Sequence, residues 1–233
     1  MRHRARTLLP ALGLALLAPL AACGGGSDDA DLSPEKVLGL AKDHLDQTSG
    51  VHFAISSDDI PKGVTTLEKA DGVLTRAPAF KGTITVPVLG TTADIGVVAV
   101  DGKVYAKIPF TSGYQTIDPS DYGVPDPTTL LDPDTGISSL LAATEDVAKG
   151  DSVRGGKDNK SVLTEYTGTV PGDDVAAVLP GATGDFDATY TIDDQEILSK
   201  AVITGHFNGA DEAANTYTVT VDDYGTDEKI TAP

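Results

Sequence analysis

One cysteine has a sequence context that indicates a covalent modification. Cys23 is the single cysteine of the chain; it follows Leu20-Ala21-Ala22 and precedes Gly24. A hydrophobic residue and two small residues before a Cys form a bacterial lipobox, in which the thiol is alkylated with a diacylglyceryl group and a peptidase then cuts before the Cys. We therefore predict that Cys23 becomes the N-terminus and carries a lipid. The alternative is an ordinary signal peptide with a chance cysteine near its cleavage site.

The residues before Cys23 have the features of an export signal. Arg2, Arg4 and Arg6 form a basic segment, and the apolar run from Leu8 to Leu20 is too short to span a bilayer. We interpret residues 1–22 as a signal peptide, residues 23–32 as the lipidated Cys with a flexible tether, and residues 33–233 as a single lipid-binding domain. Since two or more acyl chains hold a protein stably in a bilayer, we expect a lipid-anchored protein on the extracytoplasmic side of the cell membrane.

The acidic residues invite a comparison with carboxylate or metal chemistry. Most paired acids fall at predicted turns, where Asp caps and turns on a solvated surface are the favoured interpretation. The stretch Asp132-Pro133-Asp134-Thr135-Gly136 is similar to the start of a calcium loop, but Ala143 stands where a bidentate Glu is required. The acid pairs are Asp58-Asp59, Asp173-Asp174, Asp193-Asp194 and Asp222-Asp223.

The remaining reactive residue types form no recognisable catalytic set. His44, His52 and His206 are far apart in sequence and have no neighbouring Cys or second His, so a zinc site has little support. Nucleophile-elbow, P-loop and dinucleotide-binding motifs are absent from the sequence. We predict a non-enzymatic protein without a metal or other cofactor; an acyl hydrolase is the least favoured alternative. The basic cluster Arg154, Lys157 and Lys160 fits a charged hairpin tip better than a lipid-phosphate site.

Charge narrows the range of partners. The chain carries 17 basic and 35 acidic residues; removing the three Arg of the signal peptide leaves 14 − 35 = −21. Nucleic acid is not expected as a partner at this charge, because phosphate binding needs clustered Lys and Arg.

The use of Cys23 for the anchor also excludes an intramolecular disulfide, so the stability of the domain must come from a buried core.

The first half of the domain has one helix followed by strands. Ser33-Pro34-Glu35 has the form of a helix start, and the helix is predicted to end before Gly50. Period-two alternation then predicts a strand at 51–56 and three consecutive antiparallel strands near 80–86, 95–99 and 104–108, with a hairpin at Asp101-Gly102. A further strand within 64–77 is predicted to be interrupted at Asp71-Gly72.

The second half is predicted to repeat the strand pattern after two helical segments. Asp126-Pro127 indicates a short helical turn that Pro133 closes, and a second helix is predicted from Ile137 to Lys149, with Gly150 past its end. Asp173 is predicted to cap a short helix whose Val178 and Leu179 face inward. Further strands are predicted near 162–170, 186–192, 197–207 and 217–221. The sum is an α+β chain: a mostly antiparallel sheet with one solvated face and a few helices covering the other.

Several of these segments together resemble the actinobacterial LppX/LprA/LprF/LprG lipoprotein family. The resemblance covers nearly the whole mature chain, and its most specific motif is Asp132-Pro133-Asp134-Thr135-Gly136-Ile137. It is also carried by the lipobox, the hairpin 97–105, the stretch Asp126-Pro127 and the end Tyr224-Gly225 with 229–233, which is similar to the closing strand of the family.

The resemblance implies a curved half-barrel sheet, with helices on its concave face enclosing an apolar cavity. Such a cavity would take an acylated lipid or glycolipid cargo. The implied lining comes from the strands and from the helical side: Phe53, Ile55, Ile84, Val86 and Val97 from the sheet, and Leu130, Leu131, Ile137, Leu140, Leu141, Val178 and Leu179 opposite them. The chain has no Trp and no obvious sugar-binding set in loops 109–125 and 180–185, so a headgroup preference does not carry over.

Two functions remain open from the sequence. The first is a lipid-anchored carrier that shields acyl chains, with direction supplied by a membrane transporter or a concentration difference. The second is a non-enzymatic interaction or signalling lipoprotein with an ordinary filled core. Periodicity alone does not separate a lined cavity from a packed core.

Overall fold

In the computed structural model, one open, curved antiparallel sheet runs through the described part of the chain. The structure describes residues 32–64, 66–88, 91–122, 124–156 and 159–233, so the predictions for Cys23, the signal peptide, the tether and Lys157 lie outside the described residues. Residues Leu32–Pro233 form one compact unit. None of the described helices is long and apolar enough to cross a membrane.

The described residues contain three α-helices, two 3₁₀ helices and eleven strands. The α-helices are α1 (Pro34–Gln47), α2 (Ile137–Ala143) and α3 (Gly172–Val178), and the 3₁₀ helices are Pro119–Tyr122 and Pro127–Thr129. The strands are β1 (Gly50–Ser56), β2 (Lys69–Thr75), β3 (Ala79–Val88), β4 (Thr91–Val100), β5 (Lys103–Lys107), β6 (Gln115–Ile117), β7 (Glu145–Gly155), β8 (Ser161–Val170), β9 (Thr183–Asp193), β10 (Leu198–His206) and β11 (Asn215–Asp222).

Strand β1 joins the two halves of the sheet. The order is β6-β5-β4-β3-β2-β1-β11-β10-β9-β8-β7, so the last strand of the chain pairs with the first. Apart from the β1–β11 pair, each neighbour in the sheet is also a neighbour in sequence, and the connections range from the two-residue turn between β4 and β5 to the segment between β8 and β9 that contains α3. The predicted α+β architecture is confirmed.

Two local predictions of the first half are confirmed in detail. Ser33 caps α1, because its hydroxyl oxygen accepts a hydrogen bond from the Lys36 backbone N–H at 3.3 Å, and Pro34 occupies the first helical position. Asp101 and Gly102 both have positive φ, 54° and 67°, as a two-residue hairpin turn requires. Strands β3, β4 and β5 pair consecutively and antiparallel.

Strand β2 differs from its prediction because it starts at Lys69 and is not interrupted. Gly72 lies directly opposite Gly82 of β3, and the Phe80 ring covers both. A Cβ atom on Gly72 would lie 2.8 Å from that ring, and one on Gly82 would lie 2.6 Å from it. The Asp71-Gly72 pair is a turn signal in sequence, but here the glycine makes room for an aromatic ring within a continuous strand.

The predicted helix from Ile137 to Lys149 is wrong in its second half. Helix α2 ends at Ala143, and Glu145 begins edge strand β7, in which Lys149 pairs with Tyr166. Thr144 stops the helix: it has extended φ and ψ, and its hydroxyl donates to the Leu140 carbonyl at 2.7 Å. Asp146, with φ of 50°, then turns the chain into the sheet. Gly150 therefore lies inside a strand, not beyond a helix.

Two smaller predictions are also corrected. The N-cap of α3 is Pro171. Asp173 lies in the first turn of the helix, where its negative charge is favourable near the positive end of the helix dipole. No strand follows Asp222 in the described chain, so the predicted closing strand near 229–233 is wrong. The C-terminal segment instead packs on the sheet: Ile230 contacts a small cluster of Ala79, Val98 and Val100, and Glu228 accepts from the Lys81 ammonium at 2.7 Å.

Candidate functional site

The predicted lining residues come together in one apolar cluster between the sheet and the helices. All of them except Val86 belong to this cluster or pack against it. Val86 is half-buried but is not part of the cluster. The buried members are Phe53, Val97, Leu131, Leu140, Leu141 and Val178, and the partly buried members are Ile55, Ile84, Leu130, Ile137 and Leu179.

Burial of the inward sheet face changes along the strands. One row of cross-strand neighbours is at most 4% exposed; it consists of Val51, Leu74, Phe80, Ala99 and Val104. A second row, which we call the isoleucine row, consists of Ile55, Ala70, Ile84 and Ile95, and its three isoleucines are only partly buried. On strands β1–β4, the large apolar side chains of the inward face are therefore covered at one end of the strands and incompletely covered at the other.

Ile95 was not among the lining residues predicted from sequence. It lies opposite Ile84 in the β3–β4 hairpin and continues the row toward the sheet edge. On the other side of Ile55 the same row continues to Val219 of β11 and Ala201 of β10. The pairing of Ile84 with Ile95 follows from the hairpin register, whereas the β1–β11 pairing joins residues too distant in sequence for periodicity to align.

The family-specific motif builds the connection between the 3₁₀ helices and α2. One Asp132 carboxylate oxygen accepts hydrogen bonds from the backbone N–H groups of Asp134 and Thr135, both at 2.9 Å, and these bonds lower the pKa of the carboxyl. At Gly136 a Cβ would lie 2.5 Å from the carbonyl oxygens of Leu130 and Asp132. The motif is a compact turn that places Leu130, Leu131 and Ile137 against the cluster, not a calcium loop.

Arg76, at the end of β2, ties this turn to α1. Its guanidinium donates to the carbonyl of Leu131, to that of Leu45 at 2.6 Å and, at 3.5 Å, to that of Thr48. Two of these carbonyls lie at the C-terminal end of α1, where a positive charge is favourable. The arginine therefore holds the sheet, α1 and the motif turn in one arrangement.

A second polar contact joins α1 to α2. Asp46 accepts from the Ser138 hydroxyl at 2.6 Å and from the Lys42 ammonium at 2.5 Å, while Lys42 also donates to the Pro133 carbonyl at 2.7 Å. Ser138 is only 1% exposed, so its hydroxyl needs this partner. The two helices that cover the sheet are thus fixed to each other by hydrogen bonds as well as by apolar packing.

The far end of α2 is fixed to the second half of the sheet. The Tyr190 hydroxyl lies 2.8 Å from the Thr144 hydroxyl oxygen. Because the Thr144 proton is used toward the Leu140 carbonyl, Tyr190 must be the donor in this contact. Burial raises the pKa of Tyr190 to about 12, so the phenol stays protonated and available as a donor.

One histidine forms a charged contact on the opposite face of the sheet. His52 Nδ1 lies 2.8 Å from an Asp222 carboxylate oxygen, and Nε2 lies 3.3 Å from an Asp71 oxygen. Burial of the ring opposes its protonation, but the hydrogen bonds and charges of Asp222 and Asp71 outweigh burial and raise the pKa of His52. Although these three residues are of metal-ligating types, no group arranged to hold a metal ion is found among the described residues.

Two surface recesses stand out among the described residues. One of about 200 Å³ is lined by residues of β1, β2 and β11, and one of about 440 Å³ is lined by Gly102, the start of β5, the end of β6, residues 118–120 and 124–126, and Pro180. Neither is lined by a residue of α1, α2 or α3. Within the apolar cluster, the buried side chains pack against one another, so an acyl chain lying among them would have to displace part of that packing.

Two solved structures are similar to this fold. The crystal structure of LprF from Mycobacterium bovis aligns with a TM-score of 0.68 and 17% identity, covering 86% of this chain and 96% of that one. The crystal structure of LppX from Mycobacterium tuberculosis aligns with a TM-score of 0.63 and 17% identity, covering 86% of this chain and 100% of that one. At this identity the likeness establishes the fold.

Sequence comparison extends the likeness over the whole chain. The lipoarabinomannan carrier protein LprG of Mycolicibacterium smegmatis is 29% identical, with 100% of this chain and 99% of the relative covered. The family model of the LppX_LprAFG lipoproteins matches residues 33–232, which include α1 and every strand of the sheet. The chain therefore belongs to the LppX_LprAFG lipoprotein family.

Proposed function

We propose that this protein is a lipid-anchored, non-enzymatic carrier that binds the acyl chains of a lipid or glycolipid between its curved sheet and its helices. Its anchor is the lipidated Cys23, and its place is the extracytoplasmic side of the cell membrane. The observation that carries the proposal is the isoleucine row: large apolar side chains that face inward and are only partly covered. The likeness to a relative named as a lipoarabinomannan carrier supports a lipid cargo.

The energetics of the row favour acyl chains over polar ligands. Ile55, Ile84 and Ile95 offer hydrocarbon, and apolar burial contributes about 25 cal/mol per Å² of surface removed from water. Exposing an acyl chain to water costs about 0.8 kcal/mol per methylene, whereas moving it from a bilayer to an apolar protein surface is nearly neutral. Shielding therefore requires no chemical step, and net direction comes from a membrane transporter or a concentration difference.

Loading must involve a local separation of the layers, because the cluster is packed. The row lies at the end of the strands where coverage is incomplete, so a chain inserted there meets the fewest existing contacts. We propose that acyl chains enter along the isoleucine row and that the fully buried row beyond it stays closed. The Arg76 and Asp46 contacts would keep α1 and the motif turn in place during loading.

Native mass spectrometry tests the carrier function directly. The domain Leu32–Pro233, isolated from a lipid-rich bacterial host, should carry bound lipid masses, or gain them after incubation with membrane lipids. A uniformly bare protein after that incubation would contradict the proposal and favour the alternative, an interaction lipoprotein with a filled core.

A matched pair of variants tests the position of the site. Ile84→Trp places a large side chain in the isoleucine row and should abolish lipid loading. Thr83→Trp adds the same bulk at the next residue, which is exposed on the opposite face, and should load lipid normally. Equal loading of the two variants would show that the isoleucine row is not the site, even if the protein carries lipid elsewhere.

A further inference from the structure

The loop that joins β5 to β6 presents a phenylalanine to solvent in a strained conformation. Phe110 is fully exposed, and its φ is 67°. Positive φ is rare for a residue with a bulky side chain, and such strain persists only where the surroundings impose it. Phe110 is therefore both strained in its backbone and the most exposed large apolar side chain among the described residues.

The hydrogen bonds of the loop define a turn in which this position normally belongs to glycine. The Thr111 backbone N–H donates to the Ile108 carbonyl at 3.2 Å, and the Thr111 hydroxyl donates to the same oxygen at 2.8 Å. Pro109 is thus the second residue of a β-turn and Phe110 the third. Proline followed by positive φ is the type II pattern, which strongly favours Gly at the third residue. A Phe at this position costs stability and exposes a ring to water, so its benefit must lie outside the isolated fold.

The loop is held against the sheet on its far side. The Tyr114 hydroxyl lies over β4, where a Cβ on Gly96 would be 3.2 Å from it, and Tyr114 remains 37% exposed. The Gln115 side chain donates to the Ser112 carbonyl at 3.3 Å. The ring of Phe110 therefore projects from a hydrogen-bonded turn near the edge of the sheet, and a second aromatic residue, the partly exposed Tyr114, follows four positions later.

The sequence around this loop is poor in acidic residues, as is the stretch 72–93. From Gly102 to Ile117 there is no acidic residue, and Lys103 and Lys107 are the only charged residues, in a chain with 35 acids. The loops after β1 and between β10 and β11 leave the same end of the sheet, and they contain Asp58, Asp59, Asp211 and Glu212. The β5–β6 loop can therefore approach an anionic surface with less repulsion than these acidic loops.

We propose that the loop Ile108–Tyr114 is a membrane-docking element that inserts Phe110 into the interfacial region of a lipid bilayer. An exposed aromatic residue flanked by Tyr, Ser, Thr and Lys has the composition that partitions to the membrane–water interface. The loop acts separately from the anchor at Cys23: the anchor retains the protein at the membrane, and the loop orients the sheet edge toward the bilayer. Docking by this loop does not depend on whether the isoleucine row binds lipid.

Vesicle binding of the anchor-free domain tests the proposal. Residues Leu32–Pro233 form one compact unit with the apolar cluster and lack Cys23, so their binding contains no contribution from the anchor. In flotation with vesicles of phosphatidylcholine and phosphatidylglycerol, Phe110→Gly should bind about tenfold more weakly or worse, the factor expected for one large apolar side chain. Its thermal midpoint should be unchanged or higher, since Gly relieves the strained φ. Phe110→Asn, which also tolerates positive φ, is a second polar variant should Phe110→Gly fold poorly.

Because the chain contains no Trp, a single introduced Trp reports the environment of its own position by fluorescence. Phe110→Trp should show a blue shift in emission when vesicles are added. Val153→Trp is the control: Val153 is 60% exposed on β7, the opposite edge of the sheet, and its emission should not shift.

Three results would overturn the proposal. The first is an emission spectrum of Phe110→Trp that does not change at saturating lipid. The second is flotation of Phe110→Gly equal to that of the unmodified domain. The third is a blue shift of the Phe110→Trp emission that occurs without vesicles, increases with protein concentration and accompanies dimer formation. The last would identify a second copy of this chain, not a bilayer, as the partner of Phe110.

Discussion

The hydrogen bond between Thr144 and Tyr190 offers a test of how helix α2 is held to the sheet. Tyr190 is 2% exposed, and its hydroxyl donates to the Thr144 oxygen at 2.8 Å. Thr144→Val removes that acceptor and leaves a buried phenol without it, which should lower the free energy of unfolding by about 1–3 kcal/mol. Tyr190→Phe removes the donor but leaves Thr144 bonded to the Leu140 carbonyl, so its cost should be about 0.5–1.5 kcal/mol.

The double variant distinguishes a hydrogen bond from simple packing. With both hydroxyls absent no phenol is left unpaired, so Thr144→Val with Tyr190→Phe should cost less than the sum of the single changes, with a coupling of about 0.5–1.5 kcal/mol. Urea unfolding followed by circular dichroism measures all four proteins. Strict additivity of the two changes, with unchanged denaturant slopes, would refute the assignment of this contact as the link between α2 and β9.

Two further changes test contacts elsewhere in the fold. Arg76→Met keeps the aliphatic stem but removes the hydrogen bonds to the Leu45 and Leu131 carbonyls, so urea unfolding should show a loss of about 2–3 kcal/mol, of which Arg76→Lys should recover only part. The raised pKa of His52 means that its contribution to stability is complete below about pH 6.5 and is lost as the pH rises through the folded-state pKa. The thermal midpoint should therefore fall as the pH rises above about 6.5, and His52→Gln should flatten that dependence; an identical pH profile in the variant would show that His52 is not its source.

Much of the sheet could be predicted from sequence because its signals are local. The alternation of apolar and polar residues around Phe53 and Ile55 on β1, around Ile84 on β3 and around Val97 on β4 determines which side chains face inward. The Asp101-Gly102 turn determines the register of β4 with β5. The Ser33 cap is equally local. These signals depend on neighbours within a few residues, so no knowledge of the tertiary fold is needed to interpret them.

The failures have tertiary causes. The residues after Ala143 continue a helical pattern in sequence, but Thr144 is bound by Tyr190, 46 positions away, and the backbone groups of β7 pair with β8. The Asp71-Gly72 pair resembles a turn until Gly82 and the Phe80 ring are placed beside it. For the site, periodicity identified inward residues but not their degree of cover, because cover depends on where short helices lie across the sheet.

The two edges of the sheet determine whether copies of this protein at high local concentration can associate edge to edge. An open sheet presents unpaired backbone groups at both sides and can template edge-to-edge association. Here β6 is only three residues long, while β7 is displaced by two register shifts and carries Glu145, Asp146, Lys149, Asp151 and Arg154. A short edge on one side and an irregular, charged edge on the other leave little straight backbone for a neighbour to extend. Under the proposed anchoring at Cys23, copies concentrated in the plane of a membrane should thus remain separate, each with its own sheet free to curve.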